Sequence, residues 1–169
     1  MHYTSWDRTD RTHPRLLADS GPEVLATFND SVGTAEVGGA TWGLSKCADA
    51  LEATVDDGRT FTLAGDLSRG KTLDADLAGR RYTVVAETSR EFIIDDAETN
   101  KVAQFTSKNS GVRRALLEFE HDDSLPIDDV VALSWFTRQI LEARLEPRNN
   151  ALLITLVALS VIALLVMFL

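Results

Sequence analysis

Between Thr34 and His121 the chain is a succession of short runs rich in Thr, Val, Ile and Phe, each closed by turn residues. No other feature constrains the fold as tightly. Residues 34–37 and 40–44 flank Gly38-Gly39, which supplies the positive φ that a two-residue hairpin turn needs. Residues 51–55 and 59–64 flank Asp56-Asp57-Gly58, and 72–77 and 80–87 flank Ala78-Gly79. Residues 91–95 and 101–106 flank 96–100, and a last run, 112–120, follows Lys108-Asn109-Ser110-Gly111. Side chains alternate within these runs: Phe61 and Leu63 against Thr60 and Thr62, and Tyr82, Val84 and Ala86 on one face. Short alternating strands at near-regular spacing predict a mainly β (α+β) fold, an antiparallel meander closed as a barrel or stacked as a sandwich.

Two other patterns flank this region. Residues 1–20 mix charges of both signs with aromatics at Tyr3 and Trp6 and show no periodicity, so a flexible arm is expected. Ser20-Gly21-Pro22-Glu23 reads as a helix start, predicting a short helix over 22–28 that buries Val24, Leu25 and Phe28. After the strands, the pattern predicts an amphipathic helix over about 126–146, opened by Asp128 and Asp129 at the positive end of its dipole. Val130, Leu133, Phe136, Thr137, Ile140 and Leu141 fall on one stripe, with Arg138, Glu142 and Glu146 on the other side and Val131 and Trp135 off it. The expectation is one face against the sheet and the other turned to water, headgroups or a partner. Pro147 is expected to break this helix.

The stretch 151–169 has no charge, no Gly and no Pro, and its polar groups are the hydroxyls of Thr155 and Ser160. As a helix it would be roughly 28 Å long, close to a hydrocarbon core of about 30 Å. It predicts a single transmembrane helix, giving three parts: an arm at 1–20, a β-rich domain at 21–147 and an anchor at 148–169. The first residues contain no apolar h-region, so the arrangement reads as a tail anchor. Arg144 and Arg148 precede the apolar stretch, which places the domain on the cytoplasmic side of a plasma membrane. Ala151, Thr155 and Ala158 recur at helical spacing and are candidates for close packing against another membrane helix.

The net charge of −9 argues against nucleic acid as a partner. A preference for Arg over Lys, with abundant Ala, Asp, Val and Thr, suggests an actinobacterial source. The single cysteine, Cys47, excludes an internal disulfide and a thiolate metal cluster. His2, His13 and His121 have no ligand spacing, so neither a metal nor a cofactor is expected. The acidic pairs at 56–57, 95–96, 122–123 and 128–129 sit where turns and helix starts favour Asp. The basic doublets Arg80-Arg81 and Arg113-Arg114 are candidates for lipid headgroups, although strand neighbours point to opposite faces.

FIIDDAETNKVAQF (92–105) resembles the strand–turn–strand unit of the LURP-one-related, tubby-like family, and LPIDDVVALSWFTRQI (125–140) resembles the helix that follows its last strand. The resemblance implies hairpins closed into a barrel around the helix. It brings no basic site that would carry over phosphoinositide binding.

These readings lead to a non-catalytic, single-pass membrane protein. The expectation is an accessory or assembly subunit of a larger bacterial membrane complex, with a respiratory-chain assembly as a candidate setting. Its partners would be the subunits of that complex and the lipid bilayer. Trp135, Arg138, Arg144 and Arg148 are the candidate contacts at the membrane junction. The alternative is a tubby-like headgroup-binding domain tethered to the membrane.

Overall fold

The structure, a computed structural model, describes residues 1–19, 21–107, 115–120 and 125–167, with side chains in the last segment up to 145 and again at 159–160. Twelve antiparallel strands close into one barrel. They are β1 (Tyr3–Asp7), β2 (Arg15–Ala18), β3 (Val24–Asn29), β4 (Thr34–Val37), β5 (Ala40–Lys46), β6 (Ala50–Val55), β7 (Thr60–Ala64), β8 (Thr72–Leu77), β9 (Arg80–Ala86), β10 (Glu91–Asp96), β11 (Lys101–Ser107) and β12 (Ala115–Phe119). A single helix follows, α1 (Ile127–Met167). Every strand pairs with its neighbours in sequence, and β1 closes the ring against β12, with Tyr3 opposite Glu118 and Ser5 opposite Leu116.

The alternation seen in the sequence becomes an inside and an outside. In β6 and β8 exposed and buried residues alternate throughout, so Leu51, Ala53 and Val55, and Leu73, Ala75 and Leu77, face inward. A barrel of about eight strands is filled by its own side chains. Twelve strands leave a bore, and α1 fills it. Every residue from Asp129 to Leu141 is buried. Small wall residues such as Ala26, Ala53 and Ala103 make room for it, and aromatic pairs such as Trp42–Phe61 (4.9 Å) and Phe92–Phe105 (5.2 Å) pack the wall elsewhere.

Hairpin connectivity sends alternate turns to opposite ends. The helix begins at the N rim, formed by the β2–β3, β4–β5, β6–β7, β8–β9 and β10–β11 turns. It leaves through the C rim, formed by the β1–β2, β3–β4, β5–β6, β7–β8 and β9–β10 turns.

Four expectations need correcting. Residues 3–7 and 15–18 are barrel strands, not a flexible arm, because closure needs β1 between β2 and β12. Residues 24–29 form β3, not a helix, since both edges of the segment find ladder partners in β2 and β4. The helix has no wet face over 129–141, because the wall surrounds it. Nor does it stop at Pro147: α1 is continuous to Met167. A proline removes one hydrogen bond from a helix, and the neighbouring turns keep theirs.

Among the described residues no helix is long and apolar enough to cross a membrane. Of the apolar stretch 151–169, only the side chains of Leu159 and Ser160 are among those described.

Candidate functional site

The polar groups that matter lie where the barrel grips α1. At the N rim Asp129, fully buried, accepts hydrogen bonds from Arg80 Nε (2.6 Å) and Nη2 (2.5 Å) at the start of β9, and from Tyr82 Oη (3.1 Å). A bidentate guanidinium–carboxylate pair fixes both distance and orientation. Burial, then the neighbouring Asp129 charge, pushes the Tyr82 phenol up to about 12, while the Asp129 carboxylate holds the Arg80 guanidinium more firmly protonated than usual. One residue earlier Asp128 accepts from Arg59 Nη1 (2.6 Å), whose Nε also donates to Asp57 (2.6 Å).

Halfway along the bore the Thr4 and Ser134 hydroxyls meet at 2.9 Å. Ser134 and Thr137 also donate back to the carbonyls of Val130 and Leu133. These bonds let hydroxyls sit in an apolar bore without an unpaired donor.

At the C rim two arginines face the wall. Arg138 is 1% exposed and donates through Nη2 to Asp30 in the β3–β4 turn and through Nε to Glu142 (3.0 Å), while its guanidinium carbon lies 4.8 Å from the Trp6 ring centre. Its Nη1 is buried with no hydrogen-bond partner among the described residues. Arg144 caps the opposite sector, donating to the carbonyls of Leu67 (3.2 Å) and Gly70 (2.5 Å) in the β7–β8 loop, with its guanidinium 5.1 Å from the Phe92 ring centre. Burial lowers the pKa of Arg144, and the Asp66 charge works against that shift. Gly70 is required here. A Cβ would lie 2.5 Å from the Asp66 carbonyl oxygen.

Two open cavities flank Lys46 between α1 and this rim. One, of about 330 Å³, is lined by Asp30, Leu44, Trp135, Gln139 and Glu142. The other, of about 690 Å³, is lined by Cys47, Asp49, Asp66, Leu67 and Ala143.

Compared with known proteins, the chain matches no family model, no curated protein and no solved structure. Its reading rests on the geometry.

That geometry redistributes the residues singled out from sequence. Trp135 and Arg138 lie inside the barrel, 4% and 1% exposed, because the wall closes over the side of α1 that periodicity left free. Arg144 does sit at the rim through which α1 leaves. Arg80 and Arg81 start β9 at the N rim, the end opposite to that exit. Arg80 is engaged by Asp129, and Arg81 lines an outer-wall groove with Asp74, Asp76 and Asp96. Arg113, Arg114, His121 and the side chains of Arg148, Ala151, Thr155 and Ala158 lie outside the described residues. His13 pairs with Asp10 at 3.1 Å, and Cys47 is exposed in the β5–β6 turn. Among the described residues, no group of three or more His, Cys, Asp or Glu could hold a metal ion.

Sequence reasoning took Asp129 only as a helix-start acid, placed Tyr82 on a strand face and Trp6 in an arm without giving either a partner, and did not single out Thr4 or Asp30. Their roles depend on pairings across 47 to 130 positions of chain, which no local spacing encodes.

Proposed function

We propose that this chain is a non-catalytic membrane protein in which the barrel is held beside a bilayer by the helix threaded through it. It serves as an accessory or assembly subunit of a larger bacterial membrane complex, a respiratory-chain assembly being the candidate setting. The observation that carries this reading is the continuity of α1. The segment locked in the bore and the apolar stretch after it belong to one helix, Ile127–Met167. Leu159, 58% exposed, lies on the part of α1 beyond the barrel and leaves apolar surface that lipid or a partner helix would cover. A bore occupied by protein side chains also favours a scaffold over a container for small molecules.

The test is affinity purification of the tagged full-length protein from membranes in mild detergent, followed by mass spectrometry. A defined set of membrane subunits in constant ratio is the expected result. Monodisperse protein carrying lipid and no partner would sink the subunit reading.

The second reading is a tethered headgroup-binding barrel of the tubby-like kind. It is favoured by a barrel closed around a helix, the arrangement that the resemblance implies. It predicts salt-sensitive binding to anionic liposomes, which the subunit reading does not require.

A further inference from the structure

We infer that the C rim of the barrel rests on the headgroups of an anionic bilayer, with the N rim pointing away. This rests on the membrane-anchor reading above and adds to it an orientation and a lipid-contacting face. Three independent observations lead here.

The first is spacing. Arg144 is tied to the carbonyls of the C rim, and the uncharged stretch begins at Ala151. Both belong to one continuous helix, so the rim stands about 10 Å from the start of the apolar segment. The headgroup layer on each side of a bilayer is roughly 5–7 Å deep. There is no slack for a water layer thicker than a Debye length of about 8 Å. A bend at Pro147 would tilt the rim without lengthening this distance. The barrel cannot slide along α1 either, since Asp129 and Arg138 fasten it at both ends of the bore.

The second is the distribution of charge. At the C rim Arg11, Lys46, Arg69 and Lys71 are exposed. The described C-rim turns also hold Asp10, Asp30, Asp49, Asp66 and Glu87, of which Asp30 pairs with Arg138 and Asp10 with His13, so cations and carboxylates roughly balance at that rim. The N-rim turns hold Asp19, Glu23, Asp56, Asp57 and Glu98, with Arg59 as the one cation in the described turns and itself bound to Asp57 and Asp128. A chain of net charge −9 is thus polarised along the helix axis, its acidic end furthest from the apolar stretch. An anionic surface repels the N rim and meets the exposed cations Arg11, Lys46, Arg69 and Lys71 at the C rim.

The third is Val32, 69% exposed at the tip of the β3–β4 turn and the most exposed large apolar side chain among the described residues. It projects from the rim that faces the bilayer, where an apolar tip would meet the acyl boundary instead of water.

The native cysteine makes this testable, since Cys47 is exposed on the C rim. The full-length protein, labelled there with a small fluorophore, would be placed in nanodiscs containing phosphatidylglycerol and a lipid with a nitroxide on its headgroup. The comparison is the Cys47→Ala, Ala97→Cys protein, labelled in the exposed β10–β11 turn at the N rim. The expected result is quenching several-fold stronger at position 47 than at 97. It should weaken in discs of phosphatidylcholine alone and in the Arg11→Glu, Arg69→Glu, Lys71→Glu variant. Equal quenching at both positions, or none at 47 in protein that co-elutes with discs, overturns the orientation while leaving the anchor standing. Quenching that ignores lipid charge overturns the anionic contact. Failure to enter discs at all overturns the anchor, and this inference with it.

Discussion

Arg138 shows how a buried charge can be tolerated in an apolar bore. Its side chain is 2% exposed, but its two carboxylate partners, Asp30 and Glu142, are 37% and 26% exposed and keep contact with water. The asymmetry sets the cost of mutation. Asp30→Ala with Glu142→Ala leaves a cation buried without a counter-charge and should cost about 3–5 kcal/mol. Arg138→Met leaves carboxylates that water can reach and keeps contact with Trp6, so it should cost about 1 kcal/mol or less. Urea unfolding followed by tryptophan fluorescence separates the two. At the other rim Tyr82, 7% exposed, is held neutral up to about pH 12 by burial and the Asp129 charge. An unfolded tyrosine ionises near pH 10. A folded pKa above the unfolded one gives stability that is complete below about pH 10 and lost as pH rises through the folded value, at roughly 1.4 kcal/mol per pH unit. Tyr82→Phe should flatten that alkaline limb, read from urea midpoints between pH 9 and pH 12.

The hairpins share one device at the scale of the element. Asp7, Asp10, Asp57, Asp66 and Asp96 each accept a bond from the amide two residues ahead, on Thr9, Thr12, Arg59, Ser68 and Glu98. All five carboxyls are held below the usual carboxylate range. The chief causes are the Thr9 hydroxyl on Asp7 (at about 2), the Thr12 hydroxyl on Asp10, the Arg59 amide on Asp57, the Ser68 hydroxyl on Asp66 and the Asn100 amide on Asp96, with the amide two residues ahead adding to this on Asp7, Asp10, Asp66 and Asp96. Lowered folded pKa values give stability that is present above about pH 4 and lost as pH falls through them. Unfolding midpoints should therefore decline between pH 4 and pH 2, and less steeply in a protein with Asp7→Asn and Asp66→Asn. Assignment of these pairs to turn chemistry was legible for Asp57 and Asp96, whose glycine and asparagine neighbours mark the turn. Asp129 does stand in the first turn of α1, as that assignment has it, but it also pairs with Arg80 and Tyr82 on the wall, which no local spacing shows.

For the whole molecule, wall and helix complete each other. Phe61, Phe92 and Phe105 face a bore too wide for wall side chains alone, and α1 supplies what fills it. A chain ending before Ile127 should lose cooperative unfolding and bind a hydrophobic dye, whereas one ending after Glu146 keeps every described polar tie between α1 and the wall and should retain a sharp transition. Comparing the two by thermal melting tests whether the helix is structural for the barrel as well as a tether.

The hairpins from β4 to β11 are legible in the amino-acid pattern alone, because alternation and turn residues act within a few positions and leave their period in the chain. The start of the helix near 126 is legible in the same way, though not its continuation past Pro147. That pattern did not show that β1–β3 belong to the wall. β1 pairs with β12 more than a hundred residues away, and its inward residues are Thr4 and Trp6, too mixed to read as an apolar face. Nor could periodicity tell a helix lying on a sheet from one inside a barrel. Arg138 reads as part of a wet face, and only the closed ring, by bringing Asp30 and Trp6 to the same place, makes it part of the core. Local order is written in short-range pattern, whereas the interior of a closed barrel exists only once its two ends have met.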